Sequence, residues 1–139
     1  MSDTAAQSSA TSGSSIVGQT FEISKSVGFE AAHRLPGGPD DHPYGRVHGH
    51  SFRLTASVKG VVQIGRLWVE DLAVLDSALR AVAADLDHQL LNDISGLETP
   101  TLERIALWAA DRLSPVLPGL STVTISRPSL SESCTLQID

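Results

Sequence analysis

The sequence predicts an α+β domain in which a four-stranded antiparallel sheet carries two helices on one face. Two observations support this prediction. Apolar and polar residues alternate near both ends of the chain, as strands require, whereas apolar residues recur every three or four positions in the middle, as amphipathic helices require. The resulting order β, β, α, α, β, β separates helices from strands, which is typical of α+β folds.

Alternation defines the strands. On the first, one face carries Phe21, Ile23, Val27, Phe29 and Ala31, and His33 ends that face. The second runs from about His48 to Lys59, with apolar residues at 52, 54, 56 and 58. Two short strands close the chain, one with Val123 and Ile125 inward and the other with Cys134, Leu136 and Ile138 on one face.

Periodicity and end signals define the helices. The first starts at Asp71 or Glu70, and its apolar stripe is Leu72, Leu75, Leu79, Val82 and Leu86. For the second, Thr99 is the predicted N-cap and Pro100 the first helical residue, followed by Leu102, Ile105, Ala109 and Leu113. Prolines at 115 and 118 end it.

Length and composition indicate one domain. Residues 1–19 are mostly small and polar and predict a disordered tail, so residues 20–139 form the domain. Ten Lys and Arg against 16 Asp and Glu give a net charge of -6, so we expect no nucleic-acid or membrane partner. A single cysteine and the lack of a long apolar stretch favour a cytoplasmic location.

Three histidines stand where the inward faces of the first two strands meet. His48 and His50 point the same way because they are two residues apart, and the loop at residues 36–43 brings His33 beside them. Three imidazole nitrogens suit a zinc ion and leave a fourth position free for water or substrate. We therefore predict a zinc site, whereas His42, in the polar loop, is expected to be solvated.

Asp87 and His88 follow the first helix directly. A carboxylate can orient a histidine and raise its basicity, as a general acid or base requires. A helix cap, in which His88 meets the helix dipole and Asn92 ends the turn, explains the pair equally well.

Four segments of the chain are distinctive. They are FEAAHRL at residues 29–35, GRVHGHS at 45–51, LDH at 86–88 with LND at 91–93, and ETPT at 98–101 with Glu103. Over about Phe21 to Ile138, the chain resembles the 6-pyruvoyl-tetrahydropterin synthase and 6-carboxytetrahydropterin synthase family.

The resemblance implies a tunnelling fold, in which subunits join their sheets into barrels. Such a homo-oligomer, a trimer or commonly a hexamer, has its active sites at subunit interfaces. The resemblance also implies zinc held by His33, His48 and His50. In the family, zinc chelates oxygens of the substrate side chain and makes an adjacent C–H more acidic, and proton shuttling then rearranges or cleaves that side chain.

Two positions depart from the family pattern. Tyr44 replaces the cysteine that acts as general base, and a phenol ionises less readily than a thiol at neutral pH. Arg127 replaces the glutamate that anchors the guanidine-like edge of the pterin, and Glu132 could substitute for it only if the last turn shifts. Cys134 could also cover for the missing base, although its face predicts a core position.

Two further residues have alternative interpretations. Arg127 shares parity with Val123 and Ile125, so it could point inward and clamp an anionic oxygen of the substrate, or it could be a surface arginine before a proline turn. Thr101 matches a family residue near the pterin, and it could equally be a hydroxyl at the start of a helix.

Three functions remain open. The first is a diverged zinc enzyme of the lyase or cyclase type, in which His88, oriented by Asp87 and assisted by Tyr44, moves protons on an oxygenated small molecule other than the usual pterin. The second is the family reaction on dihydroneopterin triphosphate, and the third is a non-catalytic zinc-binding scaffold. We favour the first, because the metal ligands are retained while the base and the pterin anchor have changed.

Overall fold

A four-stranded antiparallel sheet with two helices makes up the fold. The computed structural model describes residues 14–38 and 42–139. Within them the elements are β1 (Thr20–His33), β2 (His48–Val61), α1 (Leu72–Leu86), α2 (Leu102–Leu113), β3 (Leu120–Arg127) and β4 (Glu132–Gln137). The strands lie in the order β1-β2-β3-β4, and all neighbours are antiparallel. The predicted α+β architecture is confirmed.

The predicted tail, residues 1–19, falls largely outside the described residues, which begin at Ser14. The few tail residues that are described adjoin the sheet. The backbone N–H of Gly18 donates to the Val62 carbonyl at 2.9 Å, and the Val62 N–H donates to the Gln19 carbonyl at 3.2 Å. These bonds continue the pairing of β1 and β2 beyond the start of β1.

The sheet has one apolar and one polar face, because side chains alternate along each strand. Buried residues on the apolar face are Val27, Phe29, Phe52, Leu54, Ala56, Val123 and Ile125. On the other face, hydroxyl groups pair across strands: Ser26 with Thr55 at 2.6 Å, and Thr124 with Thr135 at 2.7 Å. A one-residue slip would exchange the two faces, so burial of the apolar face fixes the pairing register.

Both helices cover the apolar face. α1 packs mainly on β1, and α2 packs on β3 and β4. They contribute Leu75, Leu79, Val82, Leu86, Ile105, Ala109 and Leu113 to the core. Among the described residues, no helix combines the length and the apolar character needed to cross a membrane.

Three residues expected in the core are more exposed than predicted. Leu72 is 50% exposed because it lies in the first turn of α1, at the margin of the apolar stripe. Phe21 is 41% exposed and lines a surface cavity of about 280 Å³ with Leu67 and Trp68. Cys134 is only half-buried because β4 is an edge strand, although burial still raises the pKa of its thiol.

The start of α2 differs from the prediction, and the assignment of Thr99 as N-cap is wrong. Thr101 is the N-cap: its hydroxyl accepts a hydrogen bond from the Arg104 N–H at 3.2 Å, and the helix begins at Leu102. If Pro100 were the first helical residue, its carbonyl would enter the helix ladder. That carbonyl instead accepts a hydrogen bond from the ring of His33.

The two threonines give a direct test of this assignment. Thr101→Ala is expected to lower the free energy of unfolding by about 1 kcal/mol, because the N-cap acceptor is lost. Thr99→Ala removes no cap and is expected to change it by less than about 0.5 kcal/mol. Urea denaturation of both variants measures the difference, and equal losses would contradict Thr101 as the cap.

Candidate metal centre and active site

Three histidines meet at one end of the sheet, where β1 ends and β2 begins. His33 pairs directly with His48, and His50 lies two residues further along β2. The ring centroids are 4.7 Å apart for His33 and His48, 4.9 Å for His48 and His50, and 5.1 Å for His33 and His50. One nitrogen of each ring lies within 4.8 Å of those of the other two, so the group could hold a metal ion.

Backbone carbonyls fix the orientation of two of these rings. His33 Nδ1–H donates to the Pro100 carbonyl at 3.0 Å, and His48 Nδ1–H donates to the Arg46 carbonyl at 2.7 Å. A carbonyl can only accept, so in both rings Nδ1 carries the proton and Nε2 keeps a free lone pair. A hydrogen bond of this kind is the usual support of a metal-binding histidine.

An unpaired nitrogen marks the centre of the group. His33 is 1% exposed, and its Nε2 is buried with no hydrogen-bond partner in the part of the chain that the structure describes. Buried polar atoms are rarely left unpaired in folded proteins. The three imidazoles therefore fit a metal ion, which would be the missing partner of this nitrogen.

The surroundings favour the neutral form of these rings. Burial lowers the pKa of His33 to about 4, and the hydrogen bond to the Pro100 carbonyl opposes this effect only in part. Burial, followed by the positive charge of Arg127, lowers the pKa of His50. Metal binding requires the neutral imidazole, so at neutral pH these two rings do not have to release a proton first.

Arg127 lies beside the histidines at the end of β3. Its Nη1–H donates to Nε2 of His50 at 3.4 Å, and its Nη2–H donates to Oε1 of Glu132 at 2.8 Å. Arg127 and Glu132 are cross-strand partners on β3 and β4. Their ion pair therefore forms without any shift of the turn that joins these two strands. The Arg127 side chain is 16% exposed, and its Nε is buried without a partner among residues 14–38 and 42–139.

Asp87 and His88 are held against the outer edge of β1. Asp87 Oδ2 accepts a hydrogen bond from His88 Nδ1–H at 2.8 Å, and Asp87 Oδ1 accepts one from the Glu30 N–H at 2.8 Å. The Glu30 carbonyl accepts the backbone N–H of His88 at 2.6 Å. The bond from the Glu30 N–H, and then the one from His88, lowers the pKa of Asp87, so the carboxylate is ionised at neutral pH.

Both interpretations of this pair agree with the geometry. Asp87 is the C-cap of α1, and the positive φ of 59° at His88 ends the helix. That conformation is unusual for a residue other than glycine and is often found at functional sites. The His88 side chain is 79% exposed, with Nε2 free of the bond to Asp87.

Asn92 has a different role from the predicted one at the helix end. Its amide group donates to the carbonyls of Arg34 at 2.8 Å and Glu98 at 3.2 Å, and its Oδ1 accepts the Arg34 N–H at 2.9 Å. These bonds join the residue after His33 to the loop that carries Pro100. Asn92 therefore supports the orientation of the His33 ring.

An open cleft of about 630 Å³ is lined by His88 and, of the three clustered histidines, by His50. In the described ranges, no hydrogen bond or ring contact joins Asp87 or His88 directly to the three histidines. Glu30 also lines the cleft, and its Oε1 accepts the Ser51 hydroxyl at 2.7 Å. The sequence did not single out the Glu30 side chain, because its proximity to His88 depends on how the chain after α1 packs on β1.

The remaining candidate residues lie at the margin of the site. Tyr44 stacks on the ring of the exposed His42, with centroids 3.6 Å apart, and packs so closely over Gly38 that a side chain there would collide with it. Within the described part of the chain, no hydrogen bond joins the Tyr44 hydroxyl to His33, His48 or His50. The Thr101 hydroxyl is engaged in the cap of α2, and it is next to Pro100, which holds His33.

Comparisons with known proteins agree on one family. The family model described as 6-pyruvoyl tetrahydropterin synthase matches residues 22–138. A 6-carboxy-5,6,7,8-tetrahydropterin synthase from Synechocystis sp. is 38% identical over 129 residues, which cover 81% of this chain and 87% of that protein. A dihydroneopterin monophosphate aldolase from Pyrococcus furiosus is 36% identical over 104 residues, which cover 75% of this chain and 82% of that protein.

Solved structures show the same fold. The structure of Caenorhabditis elegans 6-pyruvoyl tetrahydropterin synthase superposes with a TM-score of 0.77 at 24% identity, covering 88% of this chain and 99% of that one. At this level of identity, the likeness is evidence for the fold alone.

The low pKa of His33 predicts acid sensitivity of the metal-free protein. Its value of about 4 lies below the ordinary 6.5, so the unfolded chain takes up the proton first and protonation favours unfolding. The stabilising contribution is complete above pH 6.5 and is lost as the pH falls towards 4. Between pH 7 and about 4.5, wild type should lose about 2 kcal/mol more stability than His33→Gln.

Urea denaturation in the presence of a chelator measures this difference. His42→Gln is the matched control, because His42 is exposed and should leave the acid loss as in wild type. The same acid loss in wild type and in His33→Gln would contradict the assignment.

Proposed function

The chain belongs to the 6-pyruvoyl tetrahydropterin synthase family, and on that basis we propose that it is a zinc-dependent enzyme of the lyase or cyclase type. It would act by acid–base chemistry on an oxygenated small molecule other than the usual pterin. One observation carries the proposal. The ring nitrogens of the three histidines lie close enough together to hold a metal ion, and Arg127, instead of an acceptor carboxylate, donates to Nε2 of His50.

His33, His48 and His50 would hold the zinc ion. Three imidazole ligands are typical of catalytic zinc, which keeps a fourth position open. Bound zinc would act as a Lewis acid on a substrate oxygen and make an adjacent C–H more acidic. The chain itself supplies rings that the Pro100 and Arg46 carbonyls hold in the correct tautomer, so little reorientation is needed.

His88 would move the proton. Its Nδ1–H is bound to Asp87, so Nε2 is the nitrogen available to take up or release a proton at the cleft. The ionised carboxylate of Asp87 would stabilise the imidazolium that forms. Tyr44 would assist as a proton donor, since a phenol is protonated at neutral pH. Thr101 and Arg127 would contact the substrate.

We further propose that the protein acts in the cytoplasm as a homo-oligomer, a trimer or hexamer, with active sites between subunits. Two observations support the oligomer. β1 and β4 are the edges of the sheet, and open edges favour pairing with another copy. His88 lies beyond the outer edge of β1, whereas the histidines lie between β1 and β2, so a second copy could bring its own His88 to them.

A second candidate is the family reaction on dihydroneopterin triphosphate. The ion pair between Arg127 and Glu132 favours it, because it keeps a carboxylate near the position that the family glutamate occupies. This carboxylate is close enough to raise the pKa of His50, against the larger opposite effect of Arg127. Glu132 would then accept the donor edge of the pterin.

Zinc content tests the metal site. Purified protein is expected to contain about one zinc per chain, and His48→Ala should lose it because two imidazoles bind far more weakly than three. His42→Ala is the control, because its ring is exposed in the loop and should leave the zinc in place. Elemental analysis gives the stoichiometry, and circular dichroism checks the fold. Folded, metal-free wild type would refute the site.

A double substitution distinguishes the two candidate functions. Wild type is expected not to turn over dihydroneopterin triphosphate, whereas Tyr44→Cys with Arg127→Glu should gain activity, because the thiol base and the acceptor carboxylate are both restored. Product formation is followed by chromatography, and each single variant serves as a control. Turnover of dihydroneopterin triphosphate by wild type would contradict the first candidate, an enzyme for another substrate. Loss of that turnover in Glu132→Gln would support the second candidate, the family reaction.

A further inference from the structure

We propose that the substrate carries a carboxylate next to the oxygen that binds the metal, and that Arg127 binds this carboxylate. The substrate class is then a 2-hydroxy or 2-oxo acid. This inference rests on the proposed metal site and identifies what that site accepts.

Arg127 brings a positive charge close to the three histidines. The guanidinium of Arg127 donates from Nη1 to Nε2 of His50 at 3.4 Å, and among the described residues its positive charge is balanced only by the half-exposed carboxylate of Glu132. A divalent ion held by the same imidazole would be repelled by this charge. Neutral imidazoles do not offset the charge of the ion. An anionic ligand that contacts both the ion and Arg127 would remove the repulsion.

The site contains two buried nitrogen atoms whose partners a bound ion and its ligand would supply. Nε2 of His33 and Nε of Arg127 are both buried and lack partners within residues 14–38 and 42–139. A buried polar atom left unpaired costs about 1–3 kcal/mol. A metal ion would be the partner of the first atom. A ligand oxygen would be the partner of the second.

The guanidinium of Arg127 has the shape to bind a carboxylate. Its Nε–H and one Nη–H form a planar fork that matches the two oxygens of a carboxylate. Glu132 contacts Arg127 through Nη2, and Nε stays unused, so the protein's own carboxylate engages the fork incompletely. A ligand carboxylate could engage both arms. A ligand hydroxyl group would bind the guanidinium more weakly, because it has a single oxygen and no negative charge.

Glu132 is a carboxylate that a ligand can displace. Its side chain is 48% exposed, so it can turn into solvent when it leaves Arg127. Water then solvates the released carboxylate, which limits the cost of breaking the ion pair. A ligand that adds a metal bond to the Arg127 contact therefore competes well, whereas a carboxylate without the adjacent oxygen does not.

Cobalt-loaded protein provides the test, because ligands that bind Co²⁺ change its visible spectrum. The probes are lactate and propane-1,2-diol, which share a carbon skeleton and differ in the carboxylate. Wild type should bind lactate at least about tenfold more tightly than the diol. Arg127→Gln should weaken lactate binding by about tenfold and leave diol binding unchanged. Arg127→Lys, which keeps the charge without the fork, should be intermediate.

Glu132→Gln provides an independent readout, because it keeps Arg127 and removes the competing carboxylate. Lactate should bind this variant several-fold more tightly than wild type, a gain that a purely structural ion pair would not give. Equal lactate binding in wild type and Arg127→Gln, or no gain in Glu132→Gln, overturns the inference. Absence of any cobalt spectrum in folded wild type would instead refute the metal site itself. Inorganic phosphate in place of lactate distinguishes a carboxylate site from a general anion site, and tighter phosphate binding would overturn the carboxylate assignment.

Discussion

The pairing register of β1 and β2 is the constraint on which the site depends. Because His33 lies directly opposite His48, and His50 follows two residues later, all three rings project from the helix-facing side at one end of the sheet. A shift of one residue would send the two β2 histidines to the polar face. The register is held by buried pairs further along, such as Phe29 stacked on Phe52 at 5.0 Å. The core and the metal site are therefore specified by the same set of strand pairs.

This link explains why the strands and the three histidines could be predicted from sequence, whereas the start of α2 could not. Alternation is a local pattern, and it places His33, His48 and His50 on one face without reference to the rest of the chain. The choice between Thr99 and Thr101 as N-cap depends on the carbonyl of Pro100, which bonds to a ring 67 residues away. Local capping rules contain no information about that bond.

The charged groups around the site show the same division. Strand parity predicts that Arg127 can point inward, but its ion pair with Glu132 depends on how the tight turn after β3 sets the pairing of β4. The hydrogen bond between Asp87 and His88 joins adjacent residues, so it can be anticipated from the sequence. Their bonds to Glu30 form only because the chain after α1 returns to the edge of β1. Sequence patterns therefore identified the candidate groups, and only tertiary packing shows how each is held.

Separate supports for the metal and for recognition make a change of substrate physically simple. The histidines are fixed by β1, β2 and the Pro100 carbonyl, none of which involves the side chain at position 127. An arginine there reverses the sign of the charge beside His50 and donates to that ring, while the rings of His33 and His48 keep their carbonyl partners. A glutamate at that place attracts donor groups, whereas a guanidinium attracts acceptors. The proposed metal chemistry could then operate on a molecule that presents acceptors instead of donors, because the candidate metal ligands and residue 127 lie on different strands.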